Sequence, residues 1–335
     1  MAWSPRSSGN VKNERETTKV RMRFLYVMDP MERLLPSKDT TVAMQRATQA
    51  RGHTSLHCEP KDVFVQGGET FAKVRPVTVD TSKSTWFTYG GHTDVRLGDI
   101  DAVFIRKDPP FDAAYLYLTH LLEVARGKTL LVNDPAGLRN ANEKLYTLHF
   151  TEFMPRTLVT SDADRIHQFV KDVGDDAVVK PLDGAGGAGV MRLRTGDDNR
   201  RSIVDTLTHE GRVLVMVQQY VPAVRSGDKR ILLLDGEVLG AINRIPRSDD
   251  LRSNIHAGGR VEAIEVTDTE RAMIAKMAPR LRRDGLIFVG LDVIGDRLTE
   301  VNVTSPTGIQ ELSQHRGREV AEDVIAWAEQ HAQTV

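Results

Sequence analysis

Apolar and polar positions along this chain fall into short runs, and their spacing predicts alternating strands and helices. Arg23–Met28 is mostly apolar and stops at Asp29-Pro30, the pattern of a buried strand. Thr40–Arg51 reads as a helix closed by Gly52, and His53–Cys58 as the next strand. Strand, helix and strand in that order predict a parallel α/β unit. Lys61–Gly98 is rich in Val and Thr and broken at Gly67-Gly68 and Gly90-Gly91, so it predicts an antiparallel excursion of hairpins. Ala102–Ile105 and Thr129–Val132 are further buried strands, separated by a helical Tyr115–Arg126. These segments define a first domain over residues 20–140, an open α/β fold.

A second unit covers residues 141–217. Asn142–Tyr146 opens a helix, Arg156–Thr160 is strand-like, and Asp164–Val173 is helical. The apolar Ala177-Val-Val then runs into Lys180-Pro-Leu-Asp-Gly-Ala-Gly-Gly-Ala-Gly-Val190, and Val190–Arg194 alternates as a strand. A third unit covers residues 218–335. Lys229–Leu234 and Glu237–Ile242 flank Asp235-Gly236 as a β-hairpin. Asp249–Gly259 is polar and reads as a mobile loop, and Thr269–Asp284 is an amphipathic helix ending at Gly285. Residues 1–19 are polar and lack a signal-peptide h-region, so they read as a disordered tail.

The glycine stretch is where chemistry enters. Glycines let the backbone approach a ligand closely, with N–H groups aimed at phosphate oxygens, and Lys180 adds a mobile positive charge. Gly184, Gly186 and Gly189 satisfy the dinucleotide-binding G-x-G-x-x-G by letter, but that fingerprint must open a helix, and this loop joins strand to strand. A Walker A loop fails for want of Gly-Lys-Ser/Thr at its end. A glycine hairpin folding over phosphates, as in protein kinases, suits the geometry, yet neither Asp-Phe-Gly nor His-Arg-Asp occurs.

Composition narrows the field further. The 335 residues carry 45 basic and 46 acidic side chains, a net charge of −1, so no bulk field draws nucleic acid or acidic membranes. One cysteine, Cys58, excludes a disulfide framework and a cysteine-based zinc cluster and suits a reducing, cytoplasmic setting. No apolar run is long enough to span a bilayer.

Leu291-Asp-Val-Ile-Gly-Asp-Arg-Leu-Thr-Glu-Val-Asn-Val303 places two strands around a tight turn. Asp292, Glu300 and Asn302 offer hard oxygen ligands without nitrogen or sulfur, which selects Mg²⁺ or Mn²⁺ over zinc. Register sets a condition. A two-residue turn at Gly295-Asp296 puts Asp292 opposite Thr299, so a shared site needs a three-residue turn or a bulge to bring Glu300 across. Lys229, Arg230, Arg244, Arg247, Arg252 and Arg260 gather in the same unit. Arg230 and Arg244, on the hairpin, are the candidates to neutralise a transferring phosphoryl group.

Strand–lysine–glycine hairpin, a later Asp and Glu-x-Asn resemble the layout of the ATP-grasp ligases. Within them the chain is similar to the bacterial glutathione synthetase family. The likeness is carried by Val27-Met-Asp-Pro30, Arg106-Lys-Asp-Pro-Pro-Phe-Asp112, Asn142-Glu-Lys-Leu145, Lys180-Pro-Leu-Asp-Gly184, Gly227-Asp-Lys-Arg230, Arg244-Ile-Pro246, Ala257-Gly-Gly-Arg260 and Gly285–Thr307. It implies an ATP-grasp fold, α/β and α+β, behind an N-terminal open α/β pre-ATP-grasp domain. It also implies that Lys144 and Lys180 contact ATP phosphates under a lid formed by Gly184, Gly186 and Gly187. Gln218, Gln219, Tyr220 and Val221 would hold the adenine edge, and Asp228 and Arg230 would lie in the nucleotide site. Asp292, Glu300 and Asn302 would hold Mg²⁺, while Arg244, Arg252, Asn254 and Arg260 would shield the intermediate. The implied reaction joins γ-glutamylcysteine to glycine through an acyl phosphate, in a homotetramer. Another ATP-grasp carboxylate–amine ligase, peptide- or glutamate-adding, is the enzymatic alternative, and a non-catalytic ATP-binding regulatory module the other. Two positions depart from the family pattern: His256 stands where a small residue is usual, and Gly308 where a cysteine often is.

Overall fold

β1 (Arg23–Met28) is the central strand of the first sheet, buried along nearly its whole length. The computed structural model describes residues 21–246 and 260–334. α1 (Thr40–Ala50) follows, started by the Asp39 carboxylate, which accepts the Val42 N–H at 2.9 Å. β2 (Thr54–Cys58) leads into the antiparallel excursion: β3 (Val63–Gln66), β4 (Glu69–Val79), β5 (Phe87–Tyr89) and β6 (Thr93–Arg96). β7 (Ala102–Arg106), α2 (Ala113–Glu123), β8 (Leu130–Val132) and α3 (Pro135–Asn140) complete this part. β1 lies between β2 and β7, parallel to both, with β8 beyond β7. The strand order therefore turns at β1. The carboxyl ends of β1 and β7 open the kind of crevice in which open α/β sheets take ligands.

Next come β9 (Thr157–Thr160), α4 (Ala163–Asp172), β10 (Asp176–Pro181), β11 (Met191–Arg194), α5 (Arg200–Leu207) and β12 (Val215–Gln219). They form a small antiparallel sheet, ordered β11-β10-β12-β9 and covered by α4 and α5. This sheet has its own small core, in which Ile166, Val170, Val179, Leu193, Val204 and Val217 are buried together. The other two cores each draw residues from both the first and the third sheet.

The third sheet is antiparallel. It comprises β13 (Asp228–Leu234), β14 (Glu237–Ile245), β15 (Arg260–Ala263), β16 (Phe288–Ile294) and β17 (Arg297–Asn302), in the order β15-β14-β13-β16-β17. α6 (Asp268–Arg283) starts at a reciprocal cap between Thr267 and Glu270. α7 (Ile309–Arg316) and α8 (Ala321–Ala332) close the chain, and α8 packs on α1. No helix among the described residues is long and apolar enough to cross a membrane.

The structure changes one expectation and meets the register condition set for another. Asn142–Tyr146 does not open an α-helix; tight 3₁₀ turns run over Leu145–Phe153 with a break at Phe150. The Asn142 amide oxygen takes the N–H groups of Lys144 and Leu145, and such a side chain competes with regular helical bonding. The β16–β17 turn is the two-residue Gly295-Asp296, with Ile294 opposite Arg297 and Val293 opposite Leu298. A bulge at Thr299 then shifts the ladder, so Asp292 stands opposite Glu300. The tail 1–19, the loop 249–259 and the residues Arg247, Arg252, Asn254 and His256 lie outside the described residues.

Candidate active site

A cavity of about 620 Å³ opens where the three sheets meet. The antiparallel pairing of β10 with β11 makes Lys180–Val190 a hairpin, as the strand-to-strand reading requires. Gly189 shows why the sequence is glycine-rich there. Its φ is +72°, and a Cβ would lie 2.6 Å from the Pro181 ring. Lys180 reaches Gln218 on the neighbouring β12, with Nζ 2.7 Å from Oε1, and burial lowers its pKa.

Lys144 bridges two sheets. Its Nζ donates to the Gly184 carbonyl at 2.5 Å and pairs with Glu300 Oε1 at 3.1 Å. The residue before it, Glu143, fixes this segment to the third sheet. Glu143 Oε1 accepts the N–H groups of Val303 and Thr304 and the Thr304 hydroxyl, at 2.9, 3.1 and 2.8 Å. Burial, and then the nearby Glu300, push the Glu143 pKa up.

On the third sheet four charges interlock. Arg230 meets Asp292 through Nε–Oδ1 at 2.5 Å and Nη2–Oδ2 at 3.1 Å. Arg244 Nη2 lies 2.7 Å from Asp228 Oδ2 and 2.9 Å from Asp292 Oδ2. Burial would raise the Asp292 pKa, but the two guanidiniums overcome it and hold the carboxyl well below the usual range. Asn302 donates its amide nitrogen to the Gly290 carbonyl at 3.1 Å, which leaves Oδ1 as its ligand-capable end. Asp292, Glu300 and Asn302 thus offer two carboxylates and an amide oxygen on adjacent strands of one cavity wall. The donor set fits a hard divalent cation, with Lys144, Arg230 and Arg244 now balancing the carboxylates.

Gln218, Gln219, Tyr220 and Val221 follow one another out of β12 along the cavity, near the apolar Val178, Val190 and Ile294. Tyr220 is pinned by Arg192, which stacks 3.6 Å from its ring centre and also pairs with Asp176. The structure therefore brings together, around one cavity, Lys144, Lys180, Gly184, Gly186, Gly187, Gln218–Val221, Asp228, Arg230, Arg244, Asp292, Glu300 and Asn302. Arg260 does not join them. Pairing with Ile245 places it at an exposed end of β15, where it meets Glu262 at 2.6 Å. Lys229 faces elsewhere too, toward Glu270 at 2.7 Å.

Sequence reasoning gave no separate role to Glu143, Arg192 or the Thr304–Thr307 segment. Glu143 and Thr304–Thr307 sat inside quoted motifs, and Arg192 did not. Gly308, where the family often has cysteine, has φ +118°, and a Cβ there would lie 2.9 Å from Ile242 Cδ1.

The fold and this site define an ATP-grasp ligase. The chain superposes on the crystal structure of the D-cycloserine synthetase DcsG with a TM-score of 0.64 and 18% identity, covering 92% of this chain and 99% of that one. The ATP-grasp ligase PsnB, solved with minimal precursor, Mg and ADP, gives 0.61 and 17%, covering 92% and 98%. These two likenesses establish the fold. Residues 22–139 match the N-terminal domain of prokaryotic glutathione synthetase, and residues 143–317 match its ATP-grasp domain. The chain is 46% identical to a glutathione synthetase of Synechococcus elongatus over 315 residues, 91% of this chain and 97% of that protein. It is 44% identical to those of Thermosynechococcus vestitus (91% and 99%) and Pseudomonas syringae pv. tomato (89% and 94%). The chain belongs to the prokaryotic glutathione synthetase family.

Proposed function

We propose that the enzyme ligates γ-glutamylcysteine to glycine with ATP, through an acyl phosphate. The convergence of Lys144, Lys180 and the glycine hairpin on the Asp292–Glu300 pair carries this reading. The dipeptide's cysteinyl carboxylate attacks the γ-phosphorus, and the β–γ phosphoanhydride bond breaks to release ADP. Glycine's free amine then attacks the acyl carbon, phosphate leaves, and the amine loses a proton. No protein nucleophile is needed. Cys58 is buried in the first sheet, and burial pushes its thiol pKa up.

Lys144 and Lys180 would meet the phosphates, with Gly184, Gly186 and Gly187 closing over them. The N–H groups of Gln219 and Tyr220 are already given to the carbonyls of Arg156 and Asp176. The Val221 N–H, next along, is therefore the donor proposed for the adenine edge. Arg230 and Arg244 stabilise charge developing on the transferring phosphoryl group. When bound, Mg²⁺ or Mn²⁺ at Asp292, Glu300 and Asn302 supplies further charge neutralisation to the phosphate oxygens. Closure of the hairpin would keep water from the acyl phosphate, and by the resemblance Arg252 and Asn254 would help shield it. The domain reading of 20–140, 141–217 and 218–335 makes the middle unit the moving lid. Its separate core suits that role. A cytoplasmic homotetramer is proposed from the family resemblance, and light scattering tests the assembly.

Phosphate release from MgATP, omitting γ-glutamylcysteine or glycine in turn, tests the function. Sustained release should require both, and release indifferent to γ-glutamylcysteine overturns the reading.

A further inference from the structure

Three consecutive residues, Asn142, Glu143 and Lys144, follow α3, and the phosphate chemistry above uses only the last of them. Asn142 and Lys144 both hold the glycine hairpin. The Asn142 side-chain amide donates to the Leu182 carbonyl at 3.0 Å, and Lys144 Nζ donates to the Gly184 carbonyl two residues further on. Glu143, between them, holds the opposite side of the cavity. Its own carbonyl takes the Val301 N–H at 2.9 Å. Its Oε1 takes the N–H groups of Val303 and Thr304 at 2.9 and 3.1 Å and the Thr304 hydroxyl at 2.8 Å. The bonds to Val301 and Val303 bracket Asn302 on β17, whose side chain is fixed in turn by the Gly290 carbonyl at 3.1 Å. The middle sheet carries its own core, so these side-chain bonds tie its hairpin to the third sheet at the cavity itself.

We propose that Asn142–Lys144 is a brace that sets the spacing between the glycine hairpin and β17, with Asn142 and Glu143 as positioning residues. Asn142 acts through the hairpin, and Glu143 acts through Asn302. The inference rests on the ligase reading above and gives a role to two residues which that reading leaves without one. Phosphoryl transfer needs the triphosphate, held from the hairpin side, and the cation, held from β17, at a fixed separation, because small misplacements of reacting groups are costly. Glu143 borders the cavity, but three donors converge on one of its oxygens. That is the use of an acceptor that orders backbone, and partners of this kind orient the side chains that ligate metals. A direct ligand role for Glu143 is the alternative that the test separates.

The test compares Asn142→Ser, Glu143→Gln and Glu143→Leu with the unaltered enzyme. Two affinities are read: ADP without metal, by calorimetry, and Mn²⁺ at saturating ADP, by electron paramagnetic resonance. Asn142→Ser keeps a short acceptor for the N–H groups of Lys144 and Leu145 but no longer reaches Leu182. It should weaken ADP about fivefold and leave Mn²⁺ affinity in place. Glu143→Leu removes the acceptor and should weaken Mn²⁺ ~10-fold or more, with ADP affinity in place. Glu143→Gln keeps the acceptor and should recover most of that loss. Equal Mn²⁺ losses in the Gln and Leu variants make Glu143 a ligand and overturn the proposal. Both affinities falling together in either Asn142→Ser or Glu143→Leu overturn it as well, since that is general loosening. So do affinities that stay unchanged. If Glu143→Leu does not fold, Asn142→Ser, at an exposed position, and Glu143→Gln decide alone: a tenfold Mn²⁺ loss in the latter overturns the proposal. Neither affinity involves γ-glutamylcysteine or glycine, so this failure is distinct from failure of the ligase reading, which phosphate release decides. An unaltered enzyme that binds neither ADP nor Mn²⁺ overturns both.

Discussion

Arg230 and Asp292 face each other across β13 and β16 and close a two-contact ion pair. Arg244 shares the same carboxylate at 2.9 Å. Removing one partner of a buried pair leaves an uncompensated charge, which costs about 3–5 kcal/mol. Asp292→Ala strands the Arg230 guanidinium and leaves Arg244 with Asp228 alone, and it should lose that much in urea unfolding. Arg230→Ala should lose less, because Arg244 still holds Asp292. Equal losses for the two variants would contradict this division.

Gly290 lets Arg230 lie flat on the sheet. A Cβ there would stand 2.9 Å from Arg230 Cδ and 3.0 Å from Pro306 Cβ. Gly290→Ala should displace a guanidinium whose far end is fixed by Asp292. We expect kcat to fall ~10-fold or more, the size of losing a positioned charge stabiliser, with the protein still folded. Steady-state kinetics beside circular dichroism checks this, and an unchanged kcat contradicts it.

Glu300 is proposed as a metal ligand and is paired here with Lys144. Glu300→Gln keeps the shape and removes the charge. Turnover should drop ~10²-fold or more, and Mn²⁺ affinity, read by electron paramagnetic resonance, should fall with it. Near-normal turnover at limiting Mg²⁺ would take Glu300 out of that role.

Much of this was legible in the sequence wherever a local pattern carried the signal. The apolar run before Lys180 and the glycines after it specify a hairpin by chemistry alone, and β10 and β11 pair as such. Asp235-Gly236 likewise marks the β13–β14 turn, with φ +50° and +73°. The Asp292–Glu300 register was not legible. It depends on a bulge at Thr299, whose hydroxyl donates to the Asp292 carbonyl at 3.1 Å, a contact between two strands. The segment after Asn142 misled for a related reason. Glu143 spends its carbonyl and carboxylate on β17 and the residues just after it, so tertiary bonds replace the helix.

The α1–α8 contact should weaken in acid. Glu329 accepts two hydrogen bonds from Arg51, at 2.7 and 2.6 Å, and pairs with His53. Arg51, then His53, lower its pKa from 4.5 to about 2 against the opposing effect of burial. A carboxylate with a depressed folded pKa stabilises fully above its unfolded value and loses that contribution as pH falls. The loss should span about pH 4.5 down to about 2 and amount to on the order of 1 kcal/mol after solvent screening. Glu329→Gln should flatten the stability-against-pH curve in that window. A curve that keeps its slope excludes Glu329 as the source.

The central claim is that a substrate carboxylate is activated by phosphoryl transfer in the Lys144–Lys180–Asp292 cavity. Isotope transfer tests it most directly. With γ-glutamylcysteine labelled with ¹⁸O in its cysteinyl carboxylate, complete turnover with MgATP and glycine should move one labelled oxygen into each phosphate released. Unlabelled phosphate formed alongside peptide product would contradict the account.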